Sequence, residues 1–475
     1  MINKNVMAVA VAAALAAPVA AFAQASNVQI YGTLDMSVEQ IWLKGTKAEA
    51  VNSAPGTGQV VGAQGKNDLY SQSSRLGFKG TEDLGNGLKA WFQIENGLNV
   101  DGRQNAMTGA WAGRNSALGL EGGFGNVFVG NWDTPYKSVL ASSMGNYGGG
   151  WLQHNGMLLG GGADSTGTLP NNGCDNMGAS QNANISSAAT NCGQVEGNQT
   201  SFHRRVANSL HYWSPRMAGV QAKFSYVGNS QKSDSVTIAT PTTPVMPSSP
   251  TLFSMDLNYA AGPLSAGLAY ERHAGFRATG TLSNATGAAA TSISTNNNAT
   301  DTATQFYGSY DFGVVKVQAN WESLSYGDTS IATAAAPGVI LGSNNFKRDA
   351  WFVGLSAPMG NGRAFGGWST TGGNKGCGTL GVSAANSVNG ATIPVIGTQN
   401  FFCGGDTGST AYTLGYEYNL SKRTSVYTTY MNVDNKQYAA FMPVVAKAGV
   451  NGAGLASGIV GQDMSAVSLG MKHSF

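Results

Sequence analysis

The feature that most constrains this chain is an alternation of apolar and polar residues that returns in segment after segment. In residues 27–39, NVQIYGTLDMSVE, every second residue from Val28 onward is apolar or glycine, and the residues between them are mostly polar or charged. Successive side chains of a β-strand point to opposite faces, so this period predicts a strand with one apolar and one polar face. The same alternation returns at 88–95, 220–226, 253–259, 315–322 and 467–472.

Short and long connections follow one another between the alternating segments. The short ones, such as 82–87, 214–219 and 358–362, contain the Gly, Pro, Asn or Asp residues that tight turns require. A barrel in a bacterial outer membrane has short turns at one rim and long loops at the other. A secreted β-sandwich, the alternative fold, gives no reason for this rhythm. The long polar connections lie near 44–67, 133–202, 228–250, 273–302, 325–346, 370–408 and 433–462.

The segments together predict an all-β fold, a 16-stranded antiparallel transmembrane β-barrel with short periplasmic turns and long extracellular loops. A barrel of about sixteen strands leaves an aqueous channel, which the polar faces of the strands require. Only 11% of the residues are charged, against roughly 25% in an ordinary soluble domain. The strands are expected near 27–43, 68–81, 88–97, 109–121, 126–132, 203–213, 219–228, 251–260, 264–273, 303–312, 314–324, 347–357, 363–369, 409–419, 424–432 and 463–475.

Residues 1–23 predict a cleaved signal peptide rather than a part of the fold. Lys4 precedes an apolar run, and the small-residue pattern of a cleavage site ends at Ala23, with a second candidate ending at Ala25. A membrane anchor is the alternative, but the apolar run is short for a span and no stop-transfer charge follows it. We therefore expect residues 24–475 to form the exported barrel domain.

The sequence contains no motif that indicates catalysis, a cofactor or a metal site. It lacks the H-E-x-x-H and G-x-S-x-G patterns and a phosphate-binding loop. The formal net charge of +2 gives no electrostatic basis for nucleic acid as a partner. We therefore expect neither an enzyme nor a cofactor-binding protein.

Four cysteines lie in two of the predicted long loops and are candidates for disulfide bonds. Cys174 and Cys192 share one loop, and Cys377 and Cys403 share another. An exported protein meets an oxidising compartment, where disulfides form and persist. Four cysteines can be connected in three ways, and we favour the connectivity in which each disulfide joins the two cysteines of one loop.

Six segments, spread from residue 27 to the last residue, share their sequences with one protein family. They are 27–35, 74–90, 122–130, 208–215, 420–424 and 470–475. Together they resemble the general porins of Gram-negative bacteria, above all the trimeric porins of β-proteobacteria.

The resemblance implies a location in the lipid of the outer membrane, a homotrimer, and passive diffusion of small hydrophilic solutes and inorganic ions. It implies that the long loop 133–202 folds into the barrel and narrows it. It also implies that Phe475 is the terminal signal read by the outer-membrane barrel insertion machinery. A substrate-specific channel for a small carboxylate or sugar, with its site in that loop, is the alternative function.

Basic residues of the alternating segments are the candidate lining of the channel. Arg75 and Lys79 alternate with apolar neighbours, so they face the lumen if those neighbours face lipid, and Arg205 shows the same phase. By resemblance, Arg75, Arg114 and Arg205 match the wall arginines of the family's constriction and imply a mild anion preference. The alternatives are solvated lumen charges away from any narrowing and, for Arg205, the neighbouring Arg204.

The acidic side of the constriction is expected on the inserted loop. Asp133 and Asp164 are the candidates, with ordinary solvated loop carboxylates as the alternative. Asn131 departs from the resemblance, because the family usually has an arginine at this position. The departure removes one basic residue and leaves the strength of the anion preference open.

Overall fold

The structure is a computed structural model that describes most of the alternating segments and a smaller part of the long connections. The predicted signal peptide 1–23, Asp164, Arg204 and the four cysteines lie outside the described residues. The described residues are 28–45, 63–71, 74–98, 100–101, 111–143, 202, 205–228, 251–274, 279–283, 289–294, 300–326, 346–373, 375, 387–388, 391–392, 408–436 and 463–475.

Sixteen antiparallel strands close into a barrel, which confirms the predicted fold class. The described residues carry 21 strand labels, because one barrel strand is divided into two pieces and two short hairpins lie outside the barrel. Strands that follow one another in the chain are neighbours in the sheet, and the last strand pairs with the first. The strands are β1 (Gln29–Leu43), β2 (Gln64–Ser71), β3 (Arg75–Gly85), β4 (Leu88–Gly97), β5 (Ser116–Gly122), β6 (Gly125–Asp133), β7 (Arg205–Trp213), β8 (Val220–Val227), β9 (Thr251–Ala261), β10 (Leu264–Ala274), β11 (Thr279–Ser283), β12 (Ala289–Ser294), β13 (Thr300–Asp311), β14 (Lys316–Tyr326), β15 (Phe346–Met359), β16 (Gly362–Thr371), β17 (Ser387–Val388), β18 (Ala391–Thr392), β19 (Ser409–Asn419), β20 (Thr424–Asn435) and β21 (Met464–Ser474).

The second strand of the barrel is divided into β2 and β3, and both pieces pair with β1. Between the two pieces, the Ser74 hydroxyl accepts a hydrogen bond from the Asp35 amide at 2.9 Å and lies 3.1 Å from the Asp35 carbonyl. A side chain therefore replaces the missing ladder bonds of β1 at this point. The hairpins β11–β12 and β17–β18 lie outside the barrel sheet.

One predicted strand starts later than expected. The segment 109–121 was expected to be extended throughout, but β5 begins at Ser116. Residues 111–115 form a turn and a bend, and Ala112 has a φ of 69°, which an extended strand does not allow. The difference matters because it places Arg114 before the strand rather than in it.

Apolar side chains cover the outside of the barrel and polar side chains cover the inside. On β13, Phe306 is 52% exposed, whereas the neighbouring Gln305 is fully buried. This distribution is the reverse of a soluble core, and it suits a wall between lipid and water. Other exposed apolar side chains of the outer surface are Ile30, Val38, Leu118, Val129, Leu210, Leu414 and Leu469.

Glycines of the inner wall make room for aromatic rings on neighbouring strands. Tyr427 lies directly across from Gly470, and a Cβ atom at Gly470 would overlap the tyrosine ring. Such pairing of a glycine with a cross-strand aromatic ring gives the glycine a packing partner and helps to fix the register of the strands. The same arrangement joins Tyr31 to Gly77, Trp91 to Gly119, Tyr307 to Gly267 and Phe365 to Gly415.

A short helix, α1 (Pro135–Ser143), follows β6 directly. Thr134 caps it, because its hydroxyl accepts a hydrogen bond from the Lys137 amide at 3.2 Å. Pro135 occupies the first helical position, where a missing amide hydrogen costs no helical hydrogen bond. In the described part of the chain, no helix has the length and hydropathy needed to cross a membrane.

Candidate functional site

The helix α1 turns inward from its own strand and packs against the inner wall of the barrel. The backbone amide of Tyr136 donates to the Ser254 hydroxyl on β9 at 3.0 Å, and its hydroxyl donates to Glu322 on β14. Tyr136 and Val139 are fully buried. The helix is therefore anchored to the wall by apolar contact and by hydrogen bonds. The apolar cluster contains Tyr136, Val139, Phe202, Ala269, Ala303, Tyr307 and Leu324.

The tyrosine of this anchor acts as a hydrogen-bond donor. Burial and the nearby carboxylate of Glu322 both raise the pKa of Tyr136 well above its ordinary value, so its hydroxyl stays protonated. A protonated hydroxyl donates to the carboxylate and satisfies one of its oxygens in a buried position. Breaking this contact would leave a buried carboxylate with one donor fewer.

Two of the predicted wall arginines converge on Glu95 of β4. The Arg114 Nε atom lies 2.6 Å from Glu95 Oε1, and the Arg75 Nε atom lies 3.6 Å from Glu95 Oε2. The Tyr31 hydroxyl donates to Oε2 at 3.1 Å. Both arginine side chains are about one-third exposed, at 33% for Arg75 and 29% for Arg114. Glu95 thus holds two cations at the wall while they remain open to the lumen.

Arg205 belongs to a second cluster, which is centred on Asp133. The two residues are directly paired across β6 and β7, and Arg205 Nη2 lies 3.1 Å from Asp133 Oδ1. Lys137 of α1 reaches the same oxygen at 2.9 Å. Asn115 joins the cluster, because its amide donates to Asp133 at 3.0 Å and its carbonyl accepts from Arg205 at 2.6 Å.

The position of Asp133 corrects the prediction that it stands on the inserted loop, facing the arginines. It is the last residue of β6, and it lies on the same wall as Arg205. The physical reason is the register, since an antiparallel partner directly opposite lies on the same face of the sheet. Asp133 is therefore a partner of the basic wall rather than its counterpart across the channel.

Asn131 fixes the segment that contains Arg114. Its amide donates to the carbonyls of Ala112 at 3.1 Å and of Arg114 at 3.2 Å. The Arg114 amide in turn donates to the Glu95 carbonyl at 3.0 Å. The position where the resemblance implied a further arginine therefore holds a residue that positions Arg114.

Lys79 contacts Tyr31 of the Glu95 cluster, and Phe475 pairs with Gly32. Lys79 pairs in register with Gln29, and its ammonium lies 5.2 Å from the centre of the Tyr31 ring. Phe475 exchanges two backbone hydrogen bonds with Gly32, each 3.1 Å long, and so extends the pairing that closes the barrel.

The two clusters together place more positive than negative charge on one wall. Two carboxylates, Glu95 and Asp133, face the four cations Arg75, Arg114, Lys137 and Arg205. Guanidinium groups stay charged at any relevant pH.

Within the described ranges, no group of three His, Cys, Asp or Glu residues is placed to hold a metal ion.

Sequence reasoning missed Glu95, Asn131 and Lys137 as parts of this wall. A signal was present for Glu95, because it alternates with the lipid-facing Ile94 in the segment 88–95. The Asn131 and Lys137 contacts depend on a turn and on an inserted helix, which the alternation does not specify.

Comparison with known proteins identifies the family. A family model described as Gram-negative porin matches residues 8–438. An outer membrane porin protein of Bordetella pertussis is 27% identical over 443 residues, which cover 88% of this chain and 91% of that protein.

Two solved structures share the fold. An anion-selective porin from Comamonas acidovorans aligns with a TM-score of 0.56 and 21% identity, covering 95% of this chain and 100% of that one. A trimer form of the outer membrane protein OmpT of Vibrio cholerae aligns with a TM-score of 0.51 and 14% identity, covering 95% and 100%. The closed barrel, its polar interior and the family match over most of the chain all indicate the same family. The chain belongs to the Gram-negative porin family, as a general porin of β-proteobacterial type that forms a passive diffusion channel in the outer membrane.

Proposed function

We propose that this channel has a mild preference for anions, and that the wall of four cations and two carboxylates produces it. The observation that supports the proposal is that Arg75, Arg114, Lys137 and Arg205 outnumber Glu95 and Asp133. Lipid and protein around a narrow aqueous channel have a low dielectric constant, which focuses the field of such charges into the water. Anions would be enriched there and cations opposed.

The helix α1 contributes by occupying part of the lumen. It begins at the end of β6 and is anchored on β9 and β14 through Tyr136. Solutes would therefore pass beside the helix and close to the basic wall, which Lys137 of the same helix joins. In this arrangement α1, which belongs to the predicted long loop, limits the size of the solute, and the arginines set the charge preference.

The reversal potential of single channels in a planar bilayer tests the anion preference. With KCl at two concentrations across the membrane, we expect ohmic openings whose reversal potential shows chloride to be more permeant than potassium. The ratio should fall towards unity at high salt, because the Debye length shortens from about 10 Å at 0.1 M to about 3 Å at 1 M. A potassium preference at low salt would refute the charge arrangement while leaving the porin fold intact.

We also propose that the chain forms a homotrimer and is exported with a cleaved signal peptide. The porin fold with a trimer form in OmpT of Vibrio cholerae supports a homotrimer for this chain. The backbone hydrogen bonds between Phe475 and Gly32, where the last strand meets the first, support a role for Phe475 as the signal for insertion into the outer membrane. We further propose that residues 1–23 are removed during export, so that the mature chain begins at Gln24.

A substrate-specific channel for a small carboxylate or sugar is the second candidate function. It would show saturable flux, which a general diffusion channel does not. The wall described above offers charge selection through several partly exposed cations, so general diffusion is the function that the geometry supports best.

A further inference from the structure

Five rings form one continuous aromatic cluster on the inner wall of β4, β6 and β7. Phe128 is at its centre, with its ring centroid 5.3 Å from Trp91, 5.2 Å from Trp132 and 5.2 Å from Trp213. The His211 ring stacks on Phe128 at 4.6 Å with an angle of 4° between the planes. The cluster faces inward, since the intervening Val127, Val129 and Leu210 are exposed on the outer surface.

The cluster has a buried base and a surface open to the lumen. Phe128 and His211 are buried, whereas Trp91, Trp132 and Trp213 remain partly exposed. These three tryptophans are called the tryptophan platform below. Partly exposed indole rings on the wall of an aqueous channel can stack against a passing ring, which buries apolar surface on both.

Hydrogen-bond donors surround the platform. The Trp91 indole nitrogen donates to Asn126 at 2.9 Å. The indole nitrogens of Trp132 and Trp213 donate to no protein acceptor among the residues that the structure describes. The Lys223 ammonium lies 5.3 Å from the centre of the Trp213 ring and 3.7 Å from the Asp256 Oδ2 atom, while part of its side chain remains open to the lumen. The platform therefore offers two indole donors and one cation to a ligand.

Two side-chain acceptors near the platform, Asn126 and Asp256, are already engaged by the protein. Asn126 accepts from Trp91, and Asp256 accepts from the Tyr307 hydroxyl at 2.6 Å and the Asn258 amide at 2.8 Å. A sugar presents many hydroxyl groups and needs acceptors as well as donors. A ligand with an apolar ring and a group that only accepts hydrogen bonds fits this environment better.

We propose that the tryptophan platform is a binding site for aromatic carboxylates during their passage through the channel. The ring would stack on the exposed indole faces, and the carboxylate would lie near Lys223, with Trp213 as a further donor. The inference rests on the open porin channel but not on the proposed preference for small inorganic anions.

Block of single-channel current by benzoate tests the proposal, with acetate as the matched anion that lacks a ring. In KCl, we expect benzoate to reduce the open-channel current at concentrations where acetate has no effect. Replacing Trp132 and Trp213 together by leucine should raise the half-blocking concentration of benzoate about fivefold, the size expected for the loss of one favourable aromatic stacking contact. Trp351→Leu is the matched control, because Trp351 is 52% exposed on the outer surface.

Lys223→Gln is a second variant that leaves the rings in place, and it should also weaken the benzoate block. Conductance in KCl alone shows whether each variant forms an open channel, so absent conductance in the wild type would count against the porin function itself. The proposal is overturned if benzoate and acetate act alike on the wild type. It is also overturned if the tryptophan variant keeps its sensitivity to benzoate, or if glucose blocks in a tryptophan-dependent way and benzoate does not.

Discussion

Replacing Arg75 and Arg114 together by alanine is expected to abolish the anion preference and turn the channel towards cations. Both arginines compensate Glu95, from which they lie 3.6 Å and 2.6 Å away. Their removal deletes two positive charges and also exposes the negative charge of Glu95 to the lumen. Two unit charges about 8 Å from a permeant ion in water-like surroundings change its energy by about 1 kcal/mol. The change has opposite sign for chloride and potassium, so the energy difference between them shifts by about 2 kcal/mol, and the ratio of chloride to potassium permeability should fall about thirtyfold at low salt.

Two further variants make this result specific. Arg423→Ala removes an arginine that is exposed in a short turn, and it should leave the permeability ratio unchanged. Glu95→Gln removes the negative charge and keeps both arginines, so it should raise the anion preference. A double variant that folds, conducts and keeps the wild-type ratio would show that these arginines do not set the selectivity.

Truncating Tyr136 is expected to release α1 from the wall of the barrel. The ring is fully buried in an apolar cluster, and its hydroxyl donates to Glu322. Removing a buried aromatic side chain costs about 3 kcal/mol or more, which is large for a helix of 9 residues. We expect Tyr136→Ala to change the single-channel conductance and to increase the noise of the open state.

Tyr136→Phe separates the ring from its hydrogen bond. The ring stays, but Glu322 loses a donor in a buried position, which costs about 1–3 kcal/mol. The open-state noise of Tyr136→Phe should lie between that of the wild type and that of Tyr136→Ala. Tyr310→Ala is the control, because Tyr310 is 41% exposed on the outer surface of β13. Identical conductance and noise in the wild type and Tyr136→Ala would mean that α1 does not depend on this anchor.

The barrel could be predicted closely from the sequence because alternation is a local property. The segments 88–97 and 409–419 were predicted with the bounds of β4 and β19. A strand that separates lipid from water must alternate apolar and polar side chains, so the sequence of each segment alone indicates which side chains face lipid and which face water. The interruption between β2 and β3 was not predictable in this way, since it depends on a contact of Ser74 with Asp35 in another strand.

The candidate site was predicted less completely because its contacts join residues far apart in the chain. The inward phase of Arg75 and Arg205 follows from their neighbours, but their carboxylate partners follow from the register of adjacent strands. Asp133 was placed on the loop side for this reason. The tryptophan platform had no local signal, because Trp91 and Trp213 come together through Phe128 and Trp132 of β6, which lies between their strands.

The rate at which liposomes that contain the purified protein swell in neutral sugars tests the central claim most directly. A water-filled diffusion channel should give swelling rates that fall smoothly as the sugar becomes larger and rise in proportion to its concentration. Protein-free liposomes provide the baseline. Rates that saturate with one sugar, or folded protein that gives no swelling above the baseline, would contradict a general diffusion channel.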